Sequence, residues 1–363
     1  MHATVETLKK QTPFPDVIHL HDWPTALAAP LIARLEGRKS RLIFTIHNLE
    51  HQGRCLPHQI AATGLEKVAL EDPRKKGDLN LLMSGVHFSD WVTTVSPTYL
   101  EEILTPEGGQ GLHLFLKKHQ TKLRSILNGI DYDYWNPSSD IHLPVHYSAD
   151  TLEKKEENKR RLRQLLGLKE EKKPLVATIT RLVPQKGPEL IELGLRHTLA
   201  IGGQFLLIGN SPIEEMQDHF EKLGKELASP EAAFVLSYNE PLAHLAYAGA
   251  DLLFIPSVFE PCGLTQMIAM RYGTIPLVRA TGGLKDTVFD WETSGQPMEK
   301  RNGFSFEGAD KEGVQETLSR AIELYKEQPK VWLKLSRQAM SGDFSWGESV
   351  KKYLALYQSD FVA

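Results

Sequence analysis

The chain has 363 residues, a formal net charge of −4 and a hydrophobic fraction of 41%, values typical of a globular protein with two ordinary α/β domains. The charge balance indicates no nucleic-acid surface, and no apolar run is long enough to span a bilayer. The two cysteines, Cys55 and Cys262, lie far apart. They predict no disulfide framework and a location in the reducing cytoplasm.

Two apolar segments near the start of the chain predict strands that end in polar loops. Residues 16–20 are followed by the motif HDW at 21–23, and residues 41–46 are followed by HNL at 47–49. Pro24 is typical of a first helical turn and predicts a helix to about residue 35. Open parallel sheets bind ligands at the carboxyl ends of their strands. Both loops are therefore candidate site segments.

The first domain is predicted to end in a loop. The elements before it are a helix at 79–88, a strand at 91–95, a helix capped by Ser96 and a strand at 123–127. Residues 136–150 are rich in Pro, Ser, Asp and His, which indicates a domain boundary. We therefore predict domains at 1–140 and 141–343, followed by a helical segment at 344–363.

Residues 151–166 are dense in Lys, Glu and Arg, with many opposite charges three or four positions apart. This spacing favours a solvated helix with surface ion pairs over a patch that binds a polyelectrolyte.

Strands and helices alternate through the second domain. The predicted strands lie at 175–180, 204–209, 233–236, 251–256 and 275–278, and later helices at 314–324, 331–340 and 347–357. This alternation predicts a doubly wound parallel sheet. The expected architecture is therefore α/β, with two Rossmann-like domains facing each other across a cleft.

The segment 251–288 concentrates chemistry on one loop between a strand and a helix. A helix that begins near Gly263 directs unpaired N–H groups into this loop, and Thr265 adds a hydroxyl, so the loop suits a phosphate. Glu260 on the same loop can bind sugar hydroxyls or a developing cation. From the residues alone, an exposed loop acid is the simpler interpretation of Glu260. Cys262 is better explained as a small buried residue than as a reactive thiol.

Arg181 and Lys186 follow the predicted strand at 175–180. An Arg fork and a Lys point charge suit a leaving diphosphate. The alternative is two solvent-facing cations of little consequence. Their position at the end of a strand favours a functional role.

The sequence predicts no metal site and no nucleotide-cofactor loop. His19, His21 and Asp22 form a weak candidate triad, because no further spaced ligand accompanies them. An acidic pair at 131–133 does not directly follow a strand. No P-loop lysine follows Gly209, and no GxGxxG motif follows a strand. Dehydrogenases and P-loop NTPases are therefore disfavoured.

Several motifs, in order along the chain, resemble the family of bacterial glycogen synthases and plant starch synthases. They are HDW, TIHNLEHQG (45–53), ILNGIDYDYWNP (126–137), ITRLVPQKG (179–187), LIGNSP (207–212) and FEPCGLTQMIAMRYGTIPLVRATGGLKDTV (259–288). The resemblance covers nearly the whole chain, and its last motif is the most specific.

This resemblance implies a GT-B fold and transfer of glucose from ADP-glucose to the non-reducing end of an α-1,4-glucan. It also implies retention of configuration, with no metal and no cofactor beyond the donor. No second acid stands out beside Glu260, which fits a front-face displacement. The implied partners are ADP-glucose and the glucan.

The resemblance also implies roles for individual residues. Arg181 and Lys186 match the pair that stabilises the departing diphosphate, and Glu260 matches the essential acid. Asp22, His47 and Asn128 match donor-glucose contacts, and Tyr238 matches the residue that packs on the base. The implied catalytic residues are Glu260, Arg181, Lys186 and His47, and the implied donor-binding residues are Asp22, Asn128, Tyr238, Cys262, Gly263, Leu264 and Thr265. The last helix resembles one that crosses back to the first domain.

One departure from the family pattern concerns the N-terminal K-x-G-G-L loop, which precedes the HDW motif in family members and is not found here. The first domain is therefore expected to be incomplete, with exposed sheet edges. Two alternatives follow: an inactive remnant that binds glucan or nucleotide, and a related retaining glycosyltransferase that uses UDP-glucose.

Overall fold

The computed structural model describes residues 2–35, 40–61, 64–67 and 69–359. The strands are β1 (Val17–His21), β2 (Arg41–Ile46), β3 (Arg54–Cys55), β4 (Leu70–Glu71), β5 (Leu79–Asn80), β6 (Trp91–Thr94), β7 (Leu123–Ser125), β8 (Leu175–Ile179), β9 (Gln204–Ile208), β10 (Ala232–Val235), β11 (Leu252–Ile255), β12 (Ile275–Arg279) and β13 (Phe304–Phe306).

The helices are α1 (His2–Lys10), α2 (Asp22–Ala26), α3 (Ala28–Ala33), α4 (Pro57–Ile60), α5 (Leu81–Phe88), α6 (Pro97–Glu102), α7 (His113–Lys118), α8 (Lys155–Leu166), α9 (Pro188–Ala200), α10 (Glu214–Glu226), α11 (Glu240–Gly249), α12 (Thr265–Arg271), α13 (Gly282–Thr287), α14 (Lys311–Glu327), α15 (Pro329–Ser341) and α16 (Trp346–Gln358). Among these described helices, none is both long and apolar enough to cross a membrane.

The chain divides into two compact units. The first contains the described parts of Met1–Asn128 and Gly347–Ala363, and the second is Gly129–Trp346. Almost all of α16 therefore belongs to the first unit. Residues 129–140, assigned by sequence to the first domain, pack within the second unit. There Ile130 forms a β-bridge with Ser345, and Asp140 accepts a hydrogen bond from His244.

A parallel sheet of strand order β1-β2-β6-β7 forms the centre of the first unit. From its second residue on, β2 is fully buried, as expected for a strand covered on both faces. The short strands β3, β5 and β4 form a separate antiparallel sheet that was not predicted. Residues 79–80 belong to this sheet, and the helix predicted to begin at residue 79 begins at Leu81, where the Asn80 side chain accepts a hydrogen bond from the Met83 N–H.

The single helix predicted from Pro24 to residue 35 is wrong in detail. The helix begins earlier, at Asp22, and is divided into α2 and α3 at Leu27. Pro30 explains the division, because proline has no N–H to donate to the carbonyl of Ala26. The Ser96 cap is confirmed, since its side chain accepts a hydrogen bond from the N–H of Tyr99.

A parallel sheet of order β10-β9-β8-β11-β12-β13 forms the centre of the second unit. The predicted parallel sheet is confirmed, but β13 was missed because it has only three residues. Gly282 and Gly283 begin α13. A Cβ atom on Gly283 would lie 2.0 Å from the carbonyl oxygen of Cys262. This glycine therefore permits close contact between α13 and the loop before α12.

The predicted helix with surface ion pairs is confirmed by α8 and its exposed Glu157–Arg160 pair, but one face of α8 is buried rather than solvated. Lys155, Lys159 and Arg163 follow one another at four-residue spacing and point inward. The side chain of Lys159 is 2% exposed, and its Nζ lies 2.7 Å from the Asp251 carboxylate. The spacing of the charges in the sequence suggests ion pairs within α8. It does not show that the partner of Lys159 is Asp251, the residue just before β11.

The Lys159–Asp251 pair gives a stability prediction. Asp251→Asn leaves the Lys159 ammonium buried without a counter-charge, which should lower the free energy of unfolding by about 3–5 kcal/mol. The matched control is Glu157→Gln, which breaks an exposed pair with Arg160 on the same helix and should have little effect. Urea unfolding measures both. Equal small effects would show that Lys159 does not depend on Asp251.

Candidate functional site

The two polar loops of the first unit begin side by side. Strands β1 and β2 are parallel neighbours, with His21 opposite Thr45. The backbone N–H of His47 donates to Asp22 Oδ1 at 2.8 Å, and His21 Nδ1 lies 3.0 Å from His47 Nε2. The sheet therefore brings Asp22 and His47 together, as their places at two strand ends suggested.

Asp22 has a backbone φ of 54°, a left-handed conformation that is uncommon for residues other than glycine. Such strain persists only where the surroundings fix it, and it is concentrated at functional sites. The adjoining Trp23 packs against Gly53, where an added Cβ would lie 2.6 Å from Trp23 Cε3. The HDW loop and the HNLEHQG loop are thus packed against each other.

His19 does not join a metal triad with His21 and Asp22. Its Nδ1 contacts the Tyr357 hydroxyl at 2.8 Å and its Nε2 contacts Thr45 Oγ1 at 2.6 Å. Across the described residues, no group of three or more His, Cys, Asp or Glu side chains is arranged to hold a metal ion. Sequence reasoning missed Tyr357, because residues 338 positions apart leave no local signal.

Asn128 is half-buried beyond the end of β7. Within the described chain, no hydrogen bond joins it to Asp22 or His47. Its proposed role in donor binding therefore stays a prediction from the resemblance.

A cavity of about 210 Å³ lies in the second unit at the carboxyl ends of β8 and β11. Its lining includes Arg181 and Lys186 from the loop after β8, Ser257 from the loop after β11 and Thr265 at the start of α12. This is where parallel sheets bind ligands. The two cations and the hydroxyl groups of the lining give the cavity the donor groups that a phosphate requires.

Glu260 is buried and paired, so its interpretation as an exposed loop acid is wrong. Its Oε2 accepts hydrogen bonds from Lys186 Nζ at 2.5 Å and from Ser257 Oγ at 2.9 Å. The side chains of Lys186 and Glu260 are only 19% and 9% exposed. The structure thus brings together two of the predicted residues from loops after different strands.

Further contacts fix the same two loops. The backbone carbonyl of Gln185 accepts a hydrogen bond from the N–H of Val258 at 2.8 Å, and the side-chain amide of Gln185 donates one to the carbonyl of Phe259 at 3.2 Å. Gly187 has a φ of 66°, and a Cβ there would lie 2.5 Å from the carbonyl oxygen of Pro256. Sequence reasoning missed Gln185 and Ser257. The available signal for Ser257 was its place just after β11, and for Gln185 its place next to Lys186.

The other predicted donor-binding residues differ in exposure. Cys262 is buried, Gly263 has a φ of 70° and Leu264 is exposed. Tyr238 lies before α11 and is 80% exposed, outside the residues that line the cavity. The structure therefore does not test its predicted contact with a base.

The family comparisons agree along the chain. A profile described as the starch synthase catalytic domain matches residues 1–118, and one described as glycosyl transferases group 1 matches residues 159–338. The chain is 44% identical to a glycogen synthase of Protochlamydia amoebophila, over 98% of this chain and 76% of that protein. It is 46% identical to probable starch synthase 4 of Arabidopsis thaliana, over 98% of this chain and 35% of that longer protein.

Solved structures are similar as well. The catalytic domain of starch synthase IV from Arabidopsis thaliana, solved bound to ADP and acarbose, matches with a TM-score of 0.94 and 44% identity, over 98% of this chain and 75% of that one. A sucrose-phosphate synthase from Thermosynechococcus elongatus matches with a TM-score of 0.63 and 20% identity, over 98% of this chain and 76% of that one. The latter similarity indicates a common fold alone.

The histidine cluster predicts a pH dependence of stability. Burial, followed by the nearby His21 and His47, lowers the pKa of His19 from 6.5 to about 4. Burial, followed by His47, also lowers the pKa of His21. As pH falls from 6.5 towards 4, the unfolded chain takes up protons that the folded chain does not. The free energy of unfolding should therefore fall over this range.

The corresponding experiment is urea unfolding at about pH 7.5 and about pH 5, on either side of the ordinary histidine pKa. The loss of stability between the two should be smaller in His19→Gln than in the wild type. The control variant is His58→Gln at an exposed position of the same unit, which should lose as much as the wild type. Equal losses in all three proteins would contradict the assignment.

Proposed function

Because this chain belongs to the family of bacterial glycogen synthases and plant starch synthases, we propose that it transfers glucose from ADP-glucose to the non-reducing end of an α-1,4-glucan. The chain is accordingly a glycosyltransferase of the GT-B fold, with two Rossmann-like domains. The observation that carries the proposal is the cavity at the ends of β8 and β11, where Arg181 lies beside the Lys186–Glu260 pair. ADP bound to the similar Arabidopsis catalytic domain supports the choice of nucleotide.

The leaving diphosphate binds to Arg181 and Lys186. Lys186 is held in place before the reaction by Glu260, so it stabilises the charge that develops on the departing phosphate without reorganising. Arg181 is exposed and adds a second positive charge at the same cavity. Lys186 is positioned by Glu260, which in turn is held by Ser257. Only Oε2 of Glu260 is engaged by described residues, which leaves Oε1 able to accept a sugar hydroxyl.

In the transfer step, the bond between glucose C1 and the β-phosphate oxygen breaks. The acceptor hydroxyl oxygen forms a new bond to C1 on the same face, and its proton passes to the leaving phosphate oxygen. Enzymes that retain configuration commonly use a carboxylate nucleophile. No second acid stands out beside Glu260 in the sequence of its loop, which supports a front-face displacement instead.

The remaining roles are proposed from the family resemblance. Asp22, His47 and Asn128 contact the donor glucose, Tyr238 packs on the base, and the loop of Cys262, Gly263, Leu264 and Thr265 meets phosphate and glucose. The strained backbone of Asp22 and its hydrogen bond to His47 support a functional role for that pair. Cytoplasmic location is part of the same proposal, consistent with two free thiols.

The donor is tested by glucose incorporation into glycogen by the purified 363-residue chain, offered ADP-glucose and UDP-glucose in parallel without added metal. We expect incorporation from ADP-glucose alone. Incorporation from UDP-glucose alone would overturn the choice of nucleotide. No incorporation from either donor, in a sample with a cooperative unfolding transition, would favour an inactive glucan- or nucleotide-binding remnant.

The roles of the cations and the acid are tested by Arg181→Ala, Lys186→Ala and Glu260→Gln. Removing a preorganised charge at the diphosphate should lower kcat by about 100- to 1,000-fold. The control is Arg160→Ala, which removes an exposed cation from α8 in the same unit and should leave kcat unchanged. Near wild-type turnover in Lys186→Ala or Glu260→Gln would show that the site is wrongly assigned.

A further inference from the structure

His19 links the C-terminal helix α16 to the polar loops of the first unit. One ring nitrogen contacts the Tyr357 hydroxyl, and the other contacts Thr45 Oγ1. Both nitrogens are therefore engaged, one by a helix and the other by a strand. A ring held from both sides has one orientation, because any rotation breaks a hydrogen bond in a half-buried place.

The sheet side of this arrangement is rigid. Thr45 Oγ1 lies 2.5 Å from Thr93 Oγ1 on the neighbouring strand β6, and both threonines are fully buried. Buried hydroxyl groups keep their hydrogen-bond partners. Thr45 is thus fixed, and Tyr357 is the remaining contact that determines where the His19 ring lies.

The position of the His19 ring affects His21 and His47, which lie at the ends of β1 and β2. Its ring stacks on His21, with centroids 4.2 Å apart and an angle of 28° between the planes. His21 in turn contacts His47 through ring nitrogens 3.0 Å apart. A continuous series of contacts therefore runs from α16 to the loop that begins at the end of β2, through Tyr357, His19, His21 and His47.

The lowered pKa values of His19 and His21 keep both rings neutral at neutral pH. A neutral imidazole offers one N–H donor and one acceptor nitrogen. The contact between His21 and His47 therefore requires an N–H on one ring and a lone pair on the other. A displaced His21 ring would lose this hydrogen bond with His47.

The C-terminal helix is well placed to exert this effect. Leu356 packs with Ile43, Trp91 and Ile126 in the core of the first unit, with Tyr353 and Tyr357 packed against the same cluster. The Tyr357 ring is thus held by apolar contacts, and its hydroxyl contacts His19.

We propose that Tyr357 is a positioning residue for the His21–His47 pair and acts through His19. The inference rests on the proposed function, because His47 is assigned there to the donor glucose. It gives the last helix a part in the reaction in addition to its part in packing.

The test compares Tyr357→Phe with Tyr353→Phe. Each variant removes one hydroxyl from the same helix, but both ring nitrogens of His19 already have partners other than Tyr353. Tyr357→Phe should lower kcat for glucosyl transfer by about tenfold, since small misplacements of reacting groups are costly. The KM for ADP-glucose should change by less than about twofold, because the diphosphate contacts are untouched. Tyr353→Phe should keep the wild-type kcat.

A second readout does not depend on activity. Nitrogen-15 NMR of the imidazole rings in the full chain reports their tautomers, and Tyr357→Phe should change the signals of His21 and His47 while Tyr353→Phe leaves them unchanged. His19→Gln, which removes the stacked ring, should alter His47 in the same direction. Unchanged His47 signals in Tyr357→Phe, or equal kcat losses in both tyrosine variants, would overturn the proposal. A wild-type chain without transferase activity would instead contradict the proposed function, and the NMR comparison would still decide the role of Tyr357.

Discussion

The contact between Lys186 and Glu260 is the constraint on which the second unit's site depends. Both charges have little exposure, and a buried charge without a partner is far more costly than a buried pair. Each residue therefore fixes the other, and through them the loop after β8 is tied to the loop after β11. Ser257, Gln185 and Gly187 add contacts that only this loop arrangement permits. The cavity is shaped by this pairing before any ligand arrives.

The first unit reaches a comparable result by hydrogen bonds and ring stacking. Parallel strands β1 and β2 place two loops side by side, and the strained Asp22 backbone is held by its hydrogen bond to His47. His19, His21 and His47 pack closely because burial keeps His19 and His21 uncharged. Like charges at these distances would repel. In both units, the polar groups lie where strands end, which is a consequence of parallel sheet geometry.

Local signals in the sequence were sufficient for most of the fold and for part of the site. Apolar runs gave every strand of the two parallel sheets except β13. The placement of Arg181 and Lys186 after a strand favoured a functional role, whereas the role of Glu260 came from the family resemblance. Contacts between positions far apart in the sequence could not be predicted from local patterns. The burial of Glu260 depends on Lys186, and the orientation of His19 depends on Tyr357. The charged face of α8 was misread because alternating charges look alike whether Lys159 faces water or Asp251. Strand β13 has only three residues, and α2 and α3 have five and six. Segments this short do not show a clear periodic pattern of apolar residues.

We propose that the second unit binds the diphosphate through Arg181 and Lys186. Calorimetric titration of ADP into the wild-type chain and into Arg181→Ala tests this proposal without requiring catalysis. We expect wild-type binding without added metal and an affinity at least about tenfold weaker in the variant, in line with the strength of a charge-assisted Arg–phosphate contact. Equal affinities for ADP in the two proteins, or no binding by a folded wild-type chain, would contradict a diphosphate site at Arg181.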